Sequence, residues 1–527
     1  MPVIAVDKDN TDSAIKPLTV TIADDVPTIT DTSVASTFVV DEDDLGTLAQ
    51  ATGSFVTTEG ADQVEVYELR NISTLEATLS SGNEGIKITE ITGAANTTTY
   101  QGATDPGGTP IFTLVLTDDG AYTFTLLGPL NHVTTPSNLD TLTIPFDVVA
   151  VDGDGDDSNQ YRLPIEVIDD VPVMTPPTGE TVVDEDDLTG IGSDQTEDTI
   201  INGLFTVDEG ADGVVKYELV DEDLVLTGLT SGGESLEWLA VSQTGTTFTY
   251  VAQTVTSNEA VFEIVFDTSD NSYHFELFKP LQHPDGLSEN TIDLNFSVVA
   301  EDFDQDQSNA IDLTITVTDD VPLVTTQSIT RVEGQNYGGS KVDMFADATD
   351  VGADGAVLSR IEGISSNGAD IVFRTGNNGP YSRGFDLNSG SQEIRVYEQT
   401  NGGADTRELG RLRINSNGEV EFRANGYLDH DGDTIDFSIN VIATDGDLDT
   451  SETPLDITIT DRESSRIALK VTTFEDVGRD STIPYATGMR RLLRIPKITK
   501  VAYLMLRHKF RCKLICMIKI IVSLSVN

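Results

Sequence analysis

Three aspartates at alternate positions recur along this chain: Asp152, Asp154 and Asp156; Asp302, Asp304 and Asp306; Asp445, Asp447 and Asp449. A looser copy stands near the start, at Asp7, Asp9 and Asp12. Carboxylates at i, i+2 and i+4 of a tight loop converge on one hard cation, and Ca²⁺ accepts six to eight oxygens at about 2.3–2.6 Å in flexible geometry, where Mg²⁺ demands a stricter octahedron. The loop is not an EF-hand, because position six is Asp157 rather than Gly and position twelve is Leu163 rather than Glu. The plain alternative is a solvated acidic hairpin that keeps an edge strand from aggregating. Clustered like charges without a counter-ion are costly, and the cluster recurs in four hairpins, which favours Ca²⁺.

A second acidic element recurs with the first. Asp24-Asp25-Val26-Pro27 returns as Asp169-Asp170-Val171-Pro172 and Asp319-Asp320-Val321-Pro322, then degenerates to Asp461-Arg462-Glu463. A period the size of a whole domain marks an array of stacked units. If each unit is an antiparallel sandwich with an odd number of strands, the loop before its last strand lies where the chain came in. Asp24 and Asp25 would then meet Asp152, Asp154 and Asp156, and Asp169 and Asp170 would meet Asp302, Asp304 and Asp306. The acidic runs containing Asp41 and Asp43, and Asp184 and Asp186, are also candidate ligands. Asp41 follows Asp24 by 17 residues, about 56 Å if extended, so the chain doubles back and is expected to bring Asp41 to Asp44 to the same junction as Asp24.

The elements that must position these groups are strands. Leu142, Ile144, Phe146, Val148 and Ala150 share one face, the acidic turn follows, and Leu163, Ile165 and Val167 return. Ile292, Leu294, Phe296, Val298 and Ala300 lead to Leu313, Ile315 and Val317 in the second unit. Ile435, Phe437, Ile439, Val441 and Ala443 lead to Leu455, Ile457 and Ile459 in the third. This period-2 patterning predicts half-buried strands, and no 3.6-residue period competes with it. The expected fold is all-β: tandem Ig-like or cadherin-like antiparallel β-sandwich repeats in an elongated array. Residues 1–27 read as the terminal hairpin of a truncated repeat, 28–172, 173–322 and 323–461 as three repeats of which the third diverges, and 462–488 as the start of another.

Composition bounds the class. The formal charge is −58, although the segment 489–527 carries ten Lys/Arg and no Asp or Glu, so the rest is more acidic still. Such a surface repels nucleic acid and anionic membranes and calls for cations. Both cysteines, Cys512 and Cys516, lie in the basic tail, so the repeats have neither disulfides nor a thiolate zinc site. No signal peptide is visible at the start. The tail reads as a shifted reading frame or foreign fusion, disordered or non-native, and Leu514 to Val526, interrupted by Lys519, falls short of the ~20 residues that span a bilayer.

Taken together, Val-Asp-Glu-Asp-Asp-Leu (Val40 to Leu45, Val183 to Leu188), Glu-Gly-Ala-Asp (Glu59 to Asp62, Glu209 to Asp212), Pro-Leu-x-His (Pro129 to His132, Pro280 to His283), the Ala-x-Asp-x-Asp-x-Asp-x-Ser turn and the Asp-Asp-Val-Pro junction resemble the repeat region of type I secreted RTX adhesins and agglutinins, over residues 1 to 488. The resemblance implies a calcium-stiffened stalk on a bacterial surface or in the extracellular space, a monomeric rod whose parent protein meets host or biofilm glycans or proteins through other parts. Asp319 and Asp320 extend the candidate ligand set to the third junction. The chain departs from that pattern in lacking a Gly-Gly-x-Gly-x-Asp array, a C-terminal secretion signal and an N-terminal retention module.

Other residues have blander readings. His132, His283 and His430 recur at one place in their repeats, as packing histidines do. Trp238 reads as core or rim. Carboxylate pairs that repeat with the modules do not suggest a glycosidase, so no enzymatic activity is expected. The alternative to an inert spacer is a glycan-binding module in the third repeat, which has Arg331-Val332-Glu333-Gly334 near the place of the acidic run and gathers Arg360, Arg374, Arg383, Arg395, Arg407, Arg411, Arg413 and Arg423.

Overall fold

A computed structural model describes residues 2–462, apart from 92–93, 133–139, 180, 194–197, 287, 339–340, 366–367, 377–378 and 430–432. The basic tail, His430 and most of the segment 462–488 therefore lie outside the described residues. The described chain is all-β, and its helices are single turns such as Ile72–Glu76 and Glu222–Val225.

Alternation in sequence becomes alternation in burial. Ile144, Phe146, Val148 and Ala150 on the strand Thr141–Asp152 are fully buried, as are Leu163, Ile165 and Val167 on Tyr161–Ile168. The two strands pair antiparallel from Thr141↔Ile168 to Val148↔Tyr161, so one hairpin presents one apolar face. Three separate apolar cores result: one runs from Ile29 to Val167, one from Met174 to Val317 and one from Val324 to Ile459.

Each core sits between two sheets. In the first sandwich a seven-stranded sheet faces a four-stranded one ordered Val39–Asp41, Tyr161–Ile168, Thr141–Asp152, Val64–Leu69. The second repeats that four-stranded order with Val182–Asp184, Ile311–Thr318, Thr291–Asp302 and Val214–Val220. The third is built differently, from two five-stranded sheets. One pairing is parallel in each sandwich: Val39–Asp41 runs beside Glu166–Ile168, Val182–Asp184 beside Thr316–Thr318, and Gln327–Val332 beside Leu455–Thr460.

The first hairpin is less formed than its alternation suggests. Pairing consists of Pro2–Val3 with Lys16–Pro17 and an isolated bridge from Val6 to Asp12, and Leu18, Val20 and Ile22 are exposed. An isolated two-stranded hairpin with no sheet to pack against is marginal in water.

Candidate metal centres at the repeat junctions

Each acidic turn is folded by its own first aspartate. Asp152 Oδ1 accepts the backbone N–H of Asp156, Asp302 Oδ1 that of Asp306, and Asp445 Oδ1 that of Asp449, all at 2.8 Å. Asp7 Oδ1 does the same for Thr11 at 3.0 Å, in an exposed turn where Asp9 donates its N–H to the same oxygen. The serine that closes the motif accepts from the alanine that opens it: Ala150 N–H to Ser158 Oγ and Ala300 N–H to Ser308 Oγ, both 2.9 Å. The asparagine after it clamps the incoming strand. Asn159 accepts from Ile29 N–H and donates to Ile29 C=O, and Asn309 does the same for Met174.

The topology brings turn and linker together at each junction, in the ten-stranded third sandwich as well, where an odd strand count does not supply the reason. Oxygens of Asp24, Asp154 and Asp156 lie within 4.8 Å of one another at the first junction, and those of Asp169, Asp304 and Asp306 do so at the second. At the third, Asp319 faces Asp447 and Asp449. The first cluster is exposed and the second is buried. Covering explains the difference.

The cover is the acidic run of the preceding repeat, and here the expectation for Asp41 to Asp44 is corrected. Because Val39–Asp41 pairs in parallel with Glu166–Ile168, it points toward Asp169, so the run reaches the far end of its sandwich and not the end near Asp24. The same pairing carries Asp184 and Asp186 toward Asp319. Asp41 and Asp184 cap a one-turn 3-10 helix through the N–H of Asp43 and Asp186. That turn rotates inward a residue that alternation gave no reason to select: Glu42 is 1 % exposed and Glu185 is 0 % exposed. Glu42, His132 and Asp169 offer ligand atoms within 4.8 Å of one another, and so do Glu185, His283 and Asp319. Asp169 is thus common to two ligand groups.

Pro-Leu-x-His is the strap. Leu130 N–H donates to Glu42 Oε1 at 2.9 Å, and Leu281 N–H to Glu185 Oε1 at 2.8 Å. Two residues on, His132 N–H reaches Asp304 Oδ2 of the next repeat, and His283 N–H reaches Asp447 Oδ2. Both imidazoles are buried beside their glutamates, His283 Nε2 at 3.3 Å from Glu185 Oε1. Glu333 keeps the glutamate's place in the third repeat, accepting Leu428 N–H at 2.9 Å, although the surrounding acidic run is gone. The exposed group at the first junction, Asp24, Asp154 and Asp156, includes neither a glutamate nor a histidine.

The linker aspartates divide their work. Asp169 and Asp319 enter the clusters, whereas Asp170 holds the Glu-Gly-Ala-Asp loop that follows and Asp320 its counterpart Val351-Gly352-Ala353-Asp354. Asp320 Oδ2 accepts Ala353 N–H at 2.7 Å and its carboxylate also takes Ser193, while Asp170 takes the N–H of Ala211. Gly60, Gly210 and Gly352 turn this loop at φ of 77°, 69° and 74°, and a Cβ on Gly210 would sit 3.3 Å from Asp170 Oδ2. The loop then delivers Asp212 and Asp354, which the sequence reading did not single out.

Electrostatics mark these centres. Burial, with Asp304, Asp306 and Glu42 facing it, pushes the Asp169 carboxyl up to about 9, and burial with Asp447 and Glu185 pushes Asp319 to about 9. Asp302 rises to about 8 and Asp212, Asp354, Asp186 and Asp445 to about 7, burial leading in each. Buried carboxylate oxygens are left without a hydrogen-bond donor: Glu42 Oε2, both oxygens of Asp169, Asp302 Oδ2 and Asp306 Oδ2 at one junction; Glu185 Oε2, Asp319 Oδ1, Asp445 Oδ2, Asp447 Oδ1 and Asp449 Oδ2 at the next. Oxygens so placed are costly unless something positive meets them. The donor set is all-oxygen apart from the imidazole at its edge, which suits a hard cation of Ca²⁺ type.

The other candidates have structural partners. Of the eight arginines singled out for glycan binding in the third repeat, six pair with acids: Arg360 with Glu362 and Asp386, Arg383 with Asp370, Arg395 with Glu408, Arg407 with Glu398, Arg411 with Glu393 and Arg413 with Glu421. That is charge balance across a sheet. Trp238 is half-buried, meets Phe262 and Tyr250 edge-on and donates Nε1–H to Glu222 C=O at 3.0 Å, lining an open groove of about 440 Å³. No helix among the described residues is long and apolar enough to cross a membrane.

No protein-family profile matches the sequence, and no curated protein matches it. Among solved structures, the chain is similar to Drosophila N-cadherin EC1-3 at 14% identity and TM-score 0.20, covering 66% of this chain and 86% of that one. It is also similar to protocadherin gamma B2 extracellular cadherin domains 3-6 at 13% identity and TM-score 0.24, covering 80% and 70%. A tetra-tandem repeat in the extending region of a large adhesion protein matches at 10% identity and TM-score 0.19, covering 80% of this chain and 100% of that one. All three are multi-domain segments, and at these scores the fold assignment rests on the sheets and cores described above.

Proposed function

We propose that the chain is a stalk segment whose sandwich repeats, 28–172, 173–322 and 323–461, are locked end to end by Ca²⁺ at their junctions, spacing an adhesive part of a large RTX-type, type I secreted bacterial surface protein away from the cell. The observation that carries this reading is the set of buried carboxylate oxygens without donors, Glu42, Asp169, Asp302 and Asp306 at one boundary and Glu185, Asp319, Asp445, Asp447 and Asp449 at the next. Each set draws ligands from both neighbouring repeats. A cation there joins two bodies and fixes the angle between them, which is a mechanical role and requires no catalysis. Adhesin identity and extracellular placement rest on the sequence resemblance, supported by the tandem all-β architecture.

The test is differential scanning calorimetry of the full chain with Ca²⁺ and with chelator. Chelation exposes the uncompensated carboxylates to one another and lowers the melting temperature. An unchanged transition removes the calcium reading.

A further inference from the structure

We propose that the outer face of the second repeat carries a separate site for a borderline divalent transition cation of Zn²⁺ type, formed by Glu263, His274 and Glu276. The three lie on the solvent side of the adjacent strands Ala260–Asp267 and Ser272–Leu277. Glu263 and Glu276 are directly opposed across the pair, and His274 is two positions from Glu276, hence on the same face. Their ligand atoms all fall within 4.8 Å of one another, and His274 Nε2 is 3.7 Å from Glu276 Oε2.

Two observations separate this group from an ordinary acidic patch. The first is the imidazole's orientation. Its Nδ1 lies 2.9 Å from Asn202 Oδ1, on the next strand at the paired position. With that amide oxygen accepting, Nδ1 carries the hydrogen and the Nε2 lone pair faces the two carboxylates, the arrangement that fixes a metal-ligating histidine.

The second is an internal copy without the site. The first repeat has the same strands in the same register, with Phe112, Tyr122 and Phe124 buried where Phe262, Tyr273 and Phe275 are. There the positions of Glu263, His274 and Glu276 are held by Thr113, Thr123 and Thr125, and that of Asn202 by Thr52. Four threonines suffice for the scaffold. In the second repeat the same four places hold two like-charged glutamates in direct opposition, which disfavours a sheet on its own, plus the nitrogen ligand and its orienting amide.

Imidazole with two carboxylates suits Zn²⁺, Cu²⁺ or Ni²⁺ over Ca²⁺. Three protein ligands leave a fourth tetrahedral position open to solvent. This site is distinct from the junctions in place and in donor chemistry, so it stands whether or not they bind calcium.

The test is titration of Zn²⁺ into the full chain by calorimetry in excess Ca²⁺, comparing the parent with a variant restored to the first repeat's residues, E263T/H274T/E276T, and with H274Q alone. The expected result is one fewer Zn²⁺ equivalent in the triple variant, and at least a tenfold weaker equivalent in H274Q. Circular dichroism of each variant reports the retained fold. Parent and H274Q isotherms that superimpose overturn the proposal, as does an undiminished stoichiometry in the triple variant. In that event the histidine serves only as an ion-pair partner of Glu276.

Discussion

The backbone N–H of His132, in the first sandwich, donates to Asp304 Oδ2 of the second at 2.9 Å, and the same bond recurs from His283 to Asp447. A main-chain donor from one body fixes a carboxylate of the next, so the acidic turn is oriented by a neighbour that it helps to hold. Replacing Asp302, Asp304 and Asp306 together by Asn keeps the size of the turn and removes its charge. In saturating Ca²⁺ this variant binds fewer ions and frees the boundary between the first two sandwiches, leaving the next one stiff. Small-angle scattering shows a shorter maximum dimension. A profile and stoichiometry identical to the parent's would mean that the turn is a solvated hairpin.

Glu42 separates the covered junction from the exposed one. E42Q retains an oxygen for Leu130 N–H but removes the buried charge, and Ca²⁺ affinity at the second junction falls by at least ~10-fold, about 1.4 kcal/mol. The third junction, with its own Glu185, keeps its affinity. Calorimetric titration resolving the two classes checks this, and an equal weakening of both would contradict the assignment of each glutamate to one boundary.

The direction of pH dependence reverses with calcium. Asp169 and Asp319 are pushed to about 9 and Asp302 to about 8, far above the ~3.9 of an unfolded aspartate. Between those values the folded state holds more protons than the unfolded one, so in chelator the stabilising contribution of these groups is full below about pH 4 and is lost as pH rises toward 9. Calcium needs the deprotonated carboxylates, and its stabilising increment therefore grows over the same window. Melting temperatures from pH 5 to 9 with and without chelator should diverge. A flat chelator series would remove the buried clusters as its cause.

Asn159 tests the architecture without touching a carboxylate. Its side chain makes both hydrogen bonds to the backbone of Ile29, at the strand by which the chain joins the first sandwich. N159A leaves those groups unpaired and destabilises that sandwich by about 1–3 kcal/mol. Urea unfolding monitored by tryptophan fluorescence would miss it, because Trp238 sits in the second repeat; far-ultraviolet dichroism resolves the earlier transition. A single unshifted transition would show the clamp to be dispensable.

The sequence alone determined the strands and the acidic turns, because period-2 burial and a short Asp-led turn are local properties that recur in every repeat, whereas the meeting of Asp169 with Asp304 and Asp306 followed from it only on the condition of an odd strand count. It also held the strap and loop motifs in view without revealing their use. What only the tertiary structure decided was the destination of the run from Asp41 to Asp44. Antiparallel alternation carries no information about a parallel partner 127 positions away, and Val40 beside Val167 sends that run to the opposite end of its sandwich. Nor does periodicity reveal that a one-turn 3-10 helix rotates Glu42 inward while Asp41 is spent as its cap. Burial then did the rest: the cover that hides Asp169 exists only once two sandwiches meet, and it is this enclosure that turns a charge run into a centre requiring a cation.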